Sequence, residues 1–527
     1  MQALLIGINS KYIHPNVAIR LLKKNSKHDI EIKEFTIKDD VNKIIDYVNN
    51  HPTPVVGFSV YIWNQIIISK ILPKINKKII LGGPEVSYDN DHYFKYVDFI
   101  IRNEGEESFH KLLNALENNS SYENIPNLSY KKNVIIHNPT APIDLNNISY
   151  AQDIDFDKHQ IQYIESSRGC PYKCSYCLAS LDRMVRYVPM KKVFDQIKFG
   201  LDNGAKIFKF LDRSFNVNTK RAMDIIDYIV ENHTPNSSFQ FEVNGDVIDR
   251  KIISQINNLK KDIFRFEIGI QSTHILTNKA VNRKQNIKLL LKNIKKINES
   301  AYIDLHLDLI AGLPYETLTE FTKTFNTTFK LYAKELQLGF LKMLPGTIIR
   351  DEANLYDYVY QKQAPYEIIS SKFLSRSDLK TIKTVEEALE KYWNKGYMNN
   401  TIKSLAKDPF RFFYEFGKHY EKHYSWDNYQ LSDLFKRLSD YASDPEITES
   451  LIIDYLDYHS IKPKRWWDKV TNRNDILREF YETNKHYSID DLYKYAVVSF
   501  ALNYIICVYK PNDKKIFVYK RLKNSIS

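Results

Sequence analysis

Cys170-Pro-Tyr-Lys-Cys174-Ser-Tyr-Cys177 sets the reading of this chain, because three of its four cysteines fall within these eight residues. Thiolates at a Cys-x3-Cys-x2-Cys spacing suit three corners of a cubane 4Fe–4S cluster, which proteins hold through cysteine sulfur. Four cysteines would close such a cluster to chemistry, whereas three leave one iron open to a substrate or cofactor. Structural zinc and chance clustering are the other readings. Zinc requires a fourth ligand nearby, usually from a second Cys-x2-Cys or a His pair, and no such pair lies near the loop in sequence. The spacing therefore favours a cluster held by Cys170, Cys174 and Cys177, with Cys507 an inert buried thiol.

Outward from this loop, Gln162-Tyr-Ile-Glu-Ser166 is strand-like and runs into Ser167-Arg-Gly-Cys170-Pro171, and the aromatic Tyr176 precedes the last cysteine. Further strand patterns at Ile207–Leu211, Phe239–Val243, Phe264–Ile270, Asp304–Ile310 and Glu335–Leu341 alternate with helical ones such as Met190–Asn203 and Arg221–Asn232. On these residues, 161–350 resembles the radical S-adenosylmethionine (SAM) enzymes. The resemblance implies a partial (β/α)6 barrel whose active residues gather at the carboxyl ends of the strands, with the open iron binding the amino and carboxylate groups of SAM. It assigns Asp212 to the SAM ammonium, with a buried carboxylate paired to Arg213 as the equal alternative. Glu242 is placed at a ribose hydroxyl, Gln271 and Ser272 at polar contacts with SAM, and Arg283 at its carboxylate. Leu307-Asp-Leu-Ile-Ala-Gly312-Leu-Pro314 and Leu344-Pro-Gly-Thr347 close the fifth and sixth strands.

Residues 1–120 also alternate, with strands at Ala3–Ile8, Glu31–Thr36, Val55–Tyr61, Lys78–Leu81 and Phe99–Arg102. Helix patterns at Val17–Lys24, Val41–Asn49, Ile66–Ile75 and Ser108–Leu116 separate them, which implies a parallel sheet covered on both faces. Ligands of such sheets sit beyond the carboxyl strand ends, where Asn9, Ser59, Gly82, Gly83 and Glu104 fall. Gly82-Gly-Pro-Glu85 and Glu104-Gly-Glu-Glu107 resemble the turns of the cobalamin-binding domain found upstream of many radical SAM methyltransferases and cyclases. That domain's Asp-x-His-x-x-Gly motif is absent here, so the resemblance implies cobalamin bound without a histidine on cobalt. His14, in Ile13-His-Pro-Asn16, reads as a structural or substrate-facing residue, and a purely structural Rossmann-like domain is the competing reading. Residues 121–160 read as a linker with a hairpin around Asn127–His137.

Residues 351–527 turn helical and aromatic, as in Phe410-Arg-Phe-Phe-Tyr-Glu-Phe416, with strands possible at Ser499–Tyr509 and Lys515–Tyr519. The expected fold is α/β: an N-terminal Rossmann-like parallel sheet, a partial (β/α)6 radical SAM barrel and a mainly helical C-terminal domain of unknown function. Hydrophobic residues make up 43% and charged residues 26%, as in globular proteins. No apolar run spans a bilayer, and clustered cysteines point to a reducing compartment, so a cytoplasmic protein without a membrane partner is expected. The net charge of +11, 75 basic against 64 acidic residues, is dispersed among acidic neighbours and reads as solvated faces rather than an RNA footprint.

The resemblance implies reductive SAM cleavage to a 5′-deoxyadenosyl radical, an electron donor such as flavodoxin or ferredoxin, and methylation of an unactivated carbon in a small-molecule substrate. A radical cyclase, an RNA-modifying radical enzyme with the basic tail as its docking surface, and a non-catalytic iron–sulfur or corrin sensor are the alternatives.

Overall fold

The computed structural model describes residues 2–259, 261–300, 302–510 and 513–520. Met1 and 521–527 of the C-terminal domain lie outside the described residues. The chain packs as two compact units, Met1–Phe321 with Gly339–Arg376, and Thr322–Leu338 with Ser377–Ser527.

The first unit begins with β1 (Gln2–Asn9), α1 (Val17–Lys24), β2 (Asp29–Thr36), α2 (Val41–Asn50), β3 (Val55–Ser59), α3 (Gln65–Ile71), β4 (Lys78–Gly82), β5 (Phe99–Ile101) and α4 (Glu106–Glu117). The five strands are parallel in the order β2-β1-β3-β4-β5. Both faces of β1 are covered: Leu4, Ile6 and Ile8 enter one core while Ala3 and Leu5 enter the other. Burial on both sides is why the strand reads as an unbroken apolar run. The helices start where side chains cap them, Asn16 accepting from Ile19 N–H at 3.3 Å and Asp40 from Asn42 N–H at 2.7 Å. The hairpin β6 (Leu128–Lys131) and β7 (Ile135–His137) adds antiparallel to β5. What the sequence reading placed in a linker is thus the edge of the first sheet.

A second sheet follows. Its strands are β8 (Gln162–Ile164), β11 (Ile207–Phe210), β12 (Ser238–Glu242), β13 (Phe264–Gln271), β14 (Ile303–Ala311) and β15 (Glu335–Phe340), in that sequential order across the sheet. Between β8 and β11 a two-stranded pair, β9 (Ser167–Arg168) and β10 (Arg186–Tyr187), brackets the cysteine loop. β8 and β11 to β14 are parallel. Along β13, Phe264, Phe266, Ile268 and Ile270 are buried while Arg265, Glu267, Gly269 and Gln271 are half-buried. The apolar face meets the helices, as where the ring of Phe208 packs on Gly200 in helix Met190–Asp202. Each buried Phe or Ile there contributes roughly 1.5–3 kcal/mol relative to exposure. The opposite face turns polar side chains into the interior of the curved sheet.

The second unit is mainly helical and ends in a three-stranded antiparallel sheet of β18 (Ala496–Phe500), β19 (Tyr504–Lys510) and β20 (Asp513–Tyr519), numbered after a short pair, β16 (Val359–Tyr360) and β17 (Ile368–Ser370), in the first unit. Among the described residues no helix is long and apolar enough to cross a membrane.

Candidate active site

The cysteine loop leaves the carboxyl end of β8. Gly169 makes the turn with φ +90°, and a Cβ there would stand 2.3 Å from Met184 O, so only glycine fits. Cys170 N–H donates to Asp182 O at 2.8 Å, Ser175 N–H to Val281 O at 3.0 Å and Ile349 N–H to Ser175 O at 3.1 Å, which ties the loop down along its length. Cys170 and Cys174 are buried, Cys177 is half-buried, and all three are free thiols. Burial pushes the Cys170 and Cys177 thiols up; Cys177 and Cys174 add to the rise at Cys170, and Cys174 adds to it at Cys177. Among the described residues no three His, Cys, Asp or Glu side chains converge on a single metal ion. A cubane asks for less convergence, since each thiolate binds a different iron. Three free thiols on one braced loop fit such a cluster.

Arg283 reaches this loop from beyond β13. Its Nη1 donates to Tyr176 Oη at 3.1 Å and lies 3.7 Å from Cys174 Sγ, while Nη2 donates to Gly269 O. Burial opposes the guanidinium charge, but Tyr176 and Cys174 outweigh it and hold the pKa above its ordinary value. Gln271, with φ +65°, ends β13, and its Oε1 is buried without a partner. Ser272 is fully buried and donates to Glu316 at 2.5 Å. Glu242 faces the interior, where burial raises its carboxyl despite nearby Arg213.

Asp212, which the resemblance assigns to the SAM ammonium, has both carboxylate oxygens engaged within the protein. It is 1% exposed, and its oxygens accept from Ser166 N–H at 3.0 Å, Ser166 Oγ at 2.6 Å and Ser167 Oγ at 2.5 Å. No bond to Arg213 forms; burial raises the Asp212 carboxyl, and the positive charge that opposes this is Arg221. The residue braces the step from β8 into the cysteine loop.

The residues expected at a corrin are similarly engaged within the protein. Asn9 donates to Glu34, and Ser59 Oγ accepts from Asn16 Nδ2 at 2.7 Å; both residues are buried. Gly83, with φ +110°, is required by the backbone of Val60, whose oxygen a Cβ would meet at 2.5 Å, and Gly82 O accepts from Val60 N–H at 2.8 Å. Glu104 accepts from Arg186 at 2.8 and 3.0 Å, from Arg168 at 3.2 Å and from Ile143 N–H at 2.8 Å. Arg168 is held in turn by Glu106 at 2.6 Å and Glu165 at 2.7 Å. The acidic turn of the first sheet therefore grips the base of the cysteine loop.

What the strand order 2-1-3-4-5 leaves open is the crevice at the carboxyl ends of β1 and β3, the switch point of such sheets. There Trp63 is 44% exposed and stacks on Tyr61 with centroids 4.4 Å apart, and Tyr12 is also exposed. His14 shares a 2.8 Å hydrogen bond through Nδ1 with Tyr163 of β8, and burial lowers its pKa. An exposed flat aromatic surface of this kind can face a planar ring such as a corrin.

Sequence reasoning missed the polar interior of the second sheet. Lys209 of β11 pairs with Glu267 of β13 at 2.9 Å, and His306 of β14 bonds Asp308 at 3.0 Å and Arg265 at 2.6 Å. The signal was present in the strict polar–apolar alternation of Phe264-Arg-Phe-Glu-Ile-Gly-Ile-Gln271, which marks a strand with two different faces.

Residues 164–328 match the model of the Radical SAM superfamily, and residues 354–500 match a family described as protein of unknown function, DUF4080. An uncharacterized methyltransferase, PH0819, from Pyrococcus horikoshii is 25% identical over 424 residues, covering 73% of this chain and 87% of its own. The cobalamin-dependent radical SAM methyltransferase TokK of Streptomyces tokunonensis is 24% identical over 58% of this chain and 49% of its own length. Among solved structures, the cobalamin-dependent SAM radical enzyme OxsB with aqua-cobalamin bound shares the fold at TM-score 0.62 and 14% identity, over 92% of this chain and 75% of its own.

Proposed function

We propose that the chain, a radical SAM enzyme with a C-terminal DUF4080 domain, is a cobalamin-dependent methyltransferase acting on an unactivated carbon of a polar small molecule. The observation that carries this reading is the joint placement of the three-cysteine loop and an open aromatic crevice in one unit, linked through the Glu104–Arg168 grip. When bound, the cluster and SAM supply the electron and the 5′-deoxyadenosyl radical that takes the hydrogen, and cobalamin supplies the methyl group.

The protein's own part is binding and orientation. Cys170, Cys174 and Cys177 hold the cluster, and the Arg283 charge beside Cys174 offsets negative charge on it. Gln271, with an unused buried oxygen at the end of β13, is suited to a donor on SAM. Glu242 faces the interior, where burial raises its carboxyl, and its oxygens can accept from a ribose hydroxyl. Around Lys209, Glu267, His306 and Asp308 both signs of charge are present, which favours a substrate bearing polar groups over a hydrocarbon. Trp63 and Tyr12 offer the flat surface for the corrin.

Anaerobic turnover of protein reconstituted with iron, sulfide and cobalamin tests the reading. Methyl transfer predicts 5′-deoxyadenosine and S-adenosylhomocysteine in roughly equal amounts, one SAM being spent on each. Arg283→Ala should retain iron but need about tenfold more SAM, a loss of about 1.4 kcal/mol of charge-assisted bonding. Deoxyadenosine without homocysteine product would point to a cyclase instead, and absence of cobalamin binding would remove the methyltransferase reading.

A further inference from the structure

The second unit carries a concavity of about 470 Å³, floored by the start of β18 at Ala496–Val498 and walled by the loop from Lys462 to Arg473. That volume lies within the range of small-molecule sites. Five cations line it: Lys462, Lys464, Arg465, Lys469 and Arg473. Among the described residues none of the five has a carboxylate within ion-pair distance, although ion pairs are plentiful elsewhere on this chain. Arg473 is fixed by donating to Tyr493 O at 2.9 Å and Ala496 O at 3.0 Å, and neither acceptor carries a full charge. Trp467 adds an aromatic wall, and its indole N–H is buried without an acceptor.

Positive groups gathered in a hollow repel one another and gain only when an anion enters. Burial lowers Lys462, with Arg473 and Arg465 adding to the effect, and burial with Arg465 likewise lowers Arg473. A chain that elsewhere disperses its lysines among acidic neighbours has here left five cations unpaired around one cavity.

We infer that this hollow is a binding site for a small phosphate-bearing ligand of nucleotide or pyrophosphate size. Arg465 and Arg473 present planar guanidinium forks that match phosphate oxygens, the three lysines supply mobile point charges, and Trp467 offers a ring face. Two or more phosphate charges are needed to balance five cations, so a diphosphate fits better than a carboxylate. The site is independent of the cluster and of the methyl-transfer reading.

Calorimetric titration of the full-length protein with inorganic pyrophosphate and with ADP, at 150 mM salt, tests the inference. Saturable binding at one site is expected, tighter for ADP than for pyrophosphate if Trp467 stacks on the base. A triple substitution of the exposed lysines, K462Q/K464Q/K469Q, leaves the packing untouched and should weaken binding at least tenfold. R465Q should do the same, with R465K recovering part of it. Circular dichroism of each variant separates lost binding from lost folding. Absence of binding up to millimolar ligand, or unchanged affinity in folded variants, would overturn the site. So would affinity found only for RNA oligonucleotides and growing with their length, because a phosphate-lined strand would then be the ligand.

Discussion

At the scale of single residues, the three thiols proposed to hold the cluster sit on a loop that buried carboxylates brace. Replacing Cys170, Cys174 or Cys177 by Ser should abolish both bound iron and SAM cleavage, as read by iron analysis and the cluster's visible absorption. Cys507→Ser should spare both, because that thiol is fully buried in β19, where burial pushes it up to about 11. Its cost should be confined to stability, about 1–2 kcal/mol for burying a hydroxyl. Asp212→Ala should cost more. It strands a buried N–H and two hydroxyls at Ser166 and Ser167, each unmade bond costing about 1–3 kcal/mol. A fall of about 3 kcal/mol or more in urea unfolding is expected, with iron content reduced because the loop loses its brace. Unchanged stability would show that the carboxylate carries no structural load.

At the scale of elements, the Glu104-to-Glu106 turn and the β9–β10 pair act as one clamp across 82 residues of sequence. Burial tends to raise the Glu104 carboxyl, but its bonds from Arg186 and Ile143 N–H and the nearby Arg168 charge hold it below its ordinary 4.5. A carboxyl depressed in the folded state gives stability that is present above 4.5 and lost as pH falls through the folded value. Unfolding measured between pH 6 and pH 3 should therefore show an acid-side loss that is smaller in Arg186→Gln than in the parent. Arg168→Ala should be harsher, about 3–5 kcal/mol, since it leaves Glu104, Glu106 and Glu165 facing one buried gap. The clamp also marks where sequence reading stops. Strand runs, glycine turns and the cysteine spacing are local, so the parallel sheets and the loop were legible residue by residue, whereas the strand order was not. Asn9, Ser59 and Glu104 sit at strand ends as expected, yet their partners Glu34, Asn16, Arg168 and Arg186 come from elsewhere in the chain. Nothing near Glu104 in sequence announces that two arginines will consume it.

At the scale of the whole molecule, the boundary between units does not fall where the motifs end. The six strand patterns finish near residue 341, so a cut near 350 is the natural sequence choice. Yet 322–338, which includes most of helix Leu318–Phe329 and the start of β15, belongs to the C-terminal unit. The reason is aromatic packing that periodicity cannot reveal. Phe325 meets Phe410 at 5.6 Å, while Phe329 meets Trp393 at 4.8 Å and Phe413 at 5.3 Å. Trp393 Nε1 donates to Ala333 O at 3.1 Å, and Asn394 exchanges two hydrogen bonds with Leu336. A chain ending at Arg376 would retain Phe325 and Phe329 without these partners. Exposing two such rings forfeits roughly 3–6 kcal/mol, against a total margin of about 5–15 kcal/mol for a folded domain. The truncated chain should therefore aggregate or bind a hydrophobic dye, with little iron incorporated despite three intact cysteines. Trp393→Ala in the full chain supplies the matched test, with an expected loss of about 3–5 kcal/mol. A monomeric truncated chain that unfolds cooperatively and takes up a full cluster would show that the segment folds without the C-terminal unit.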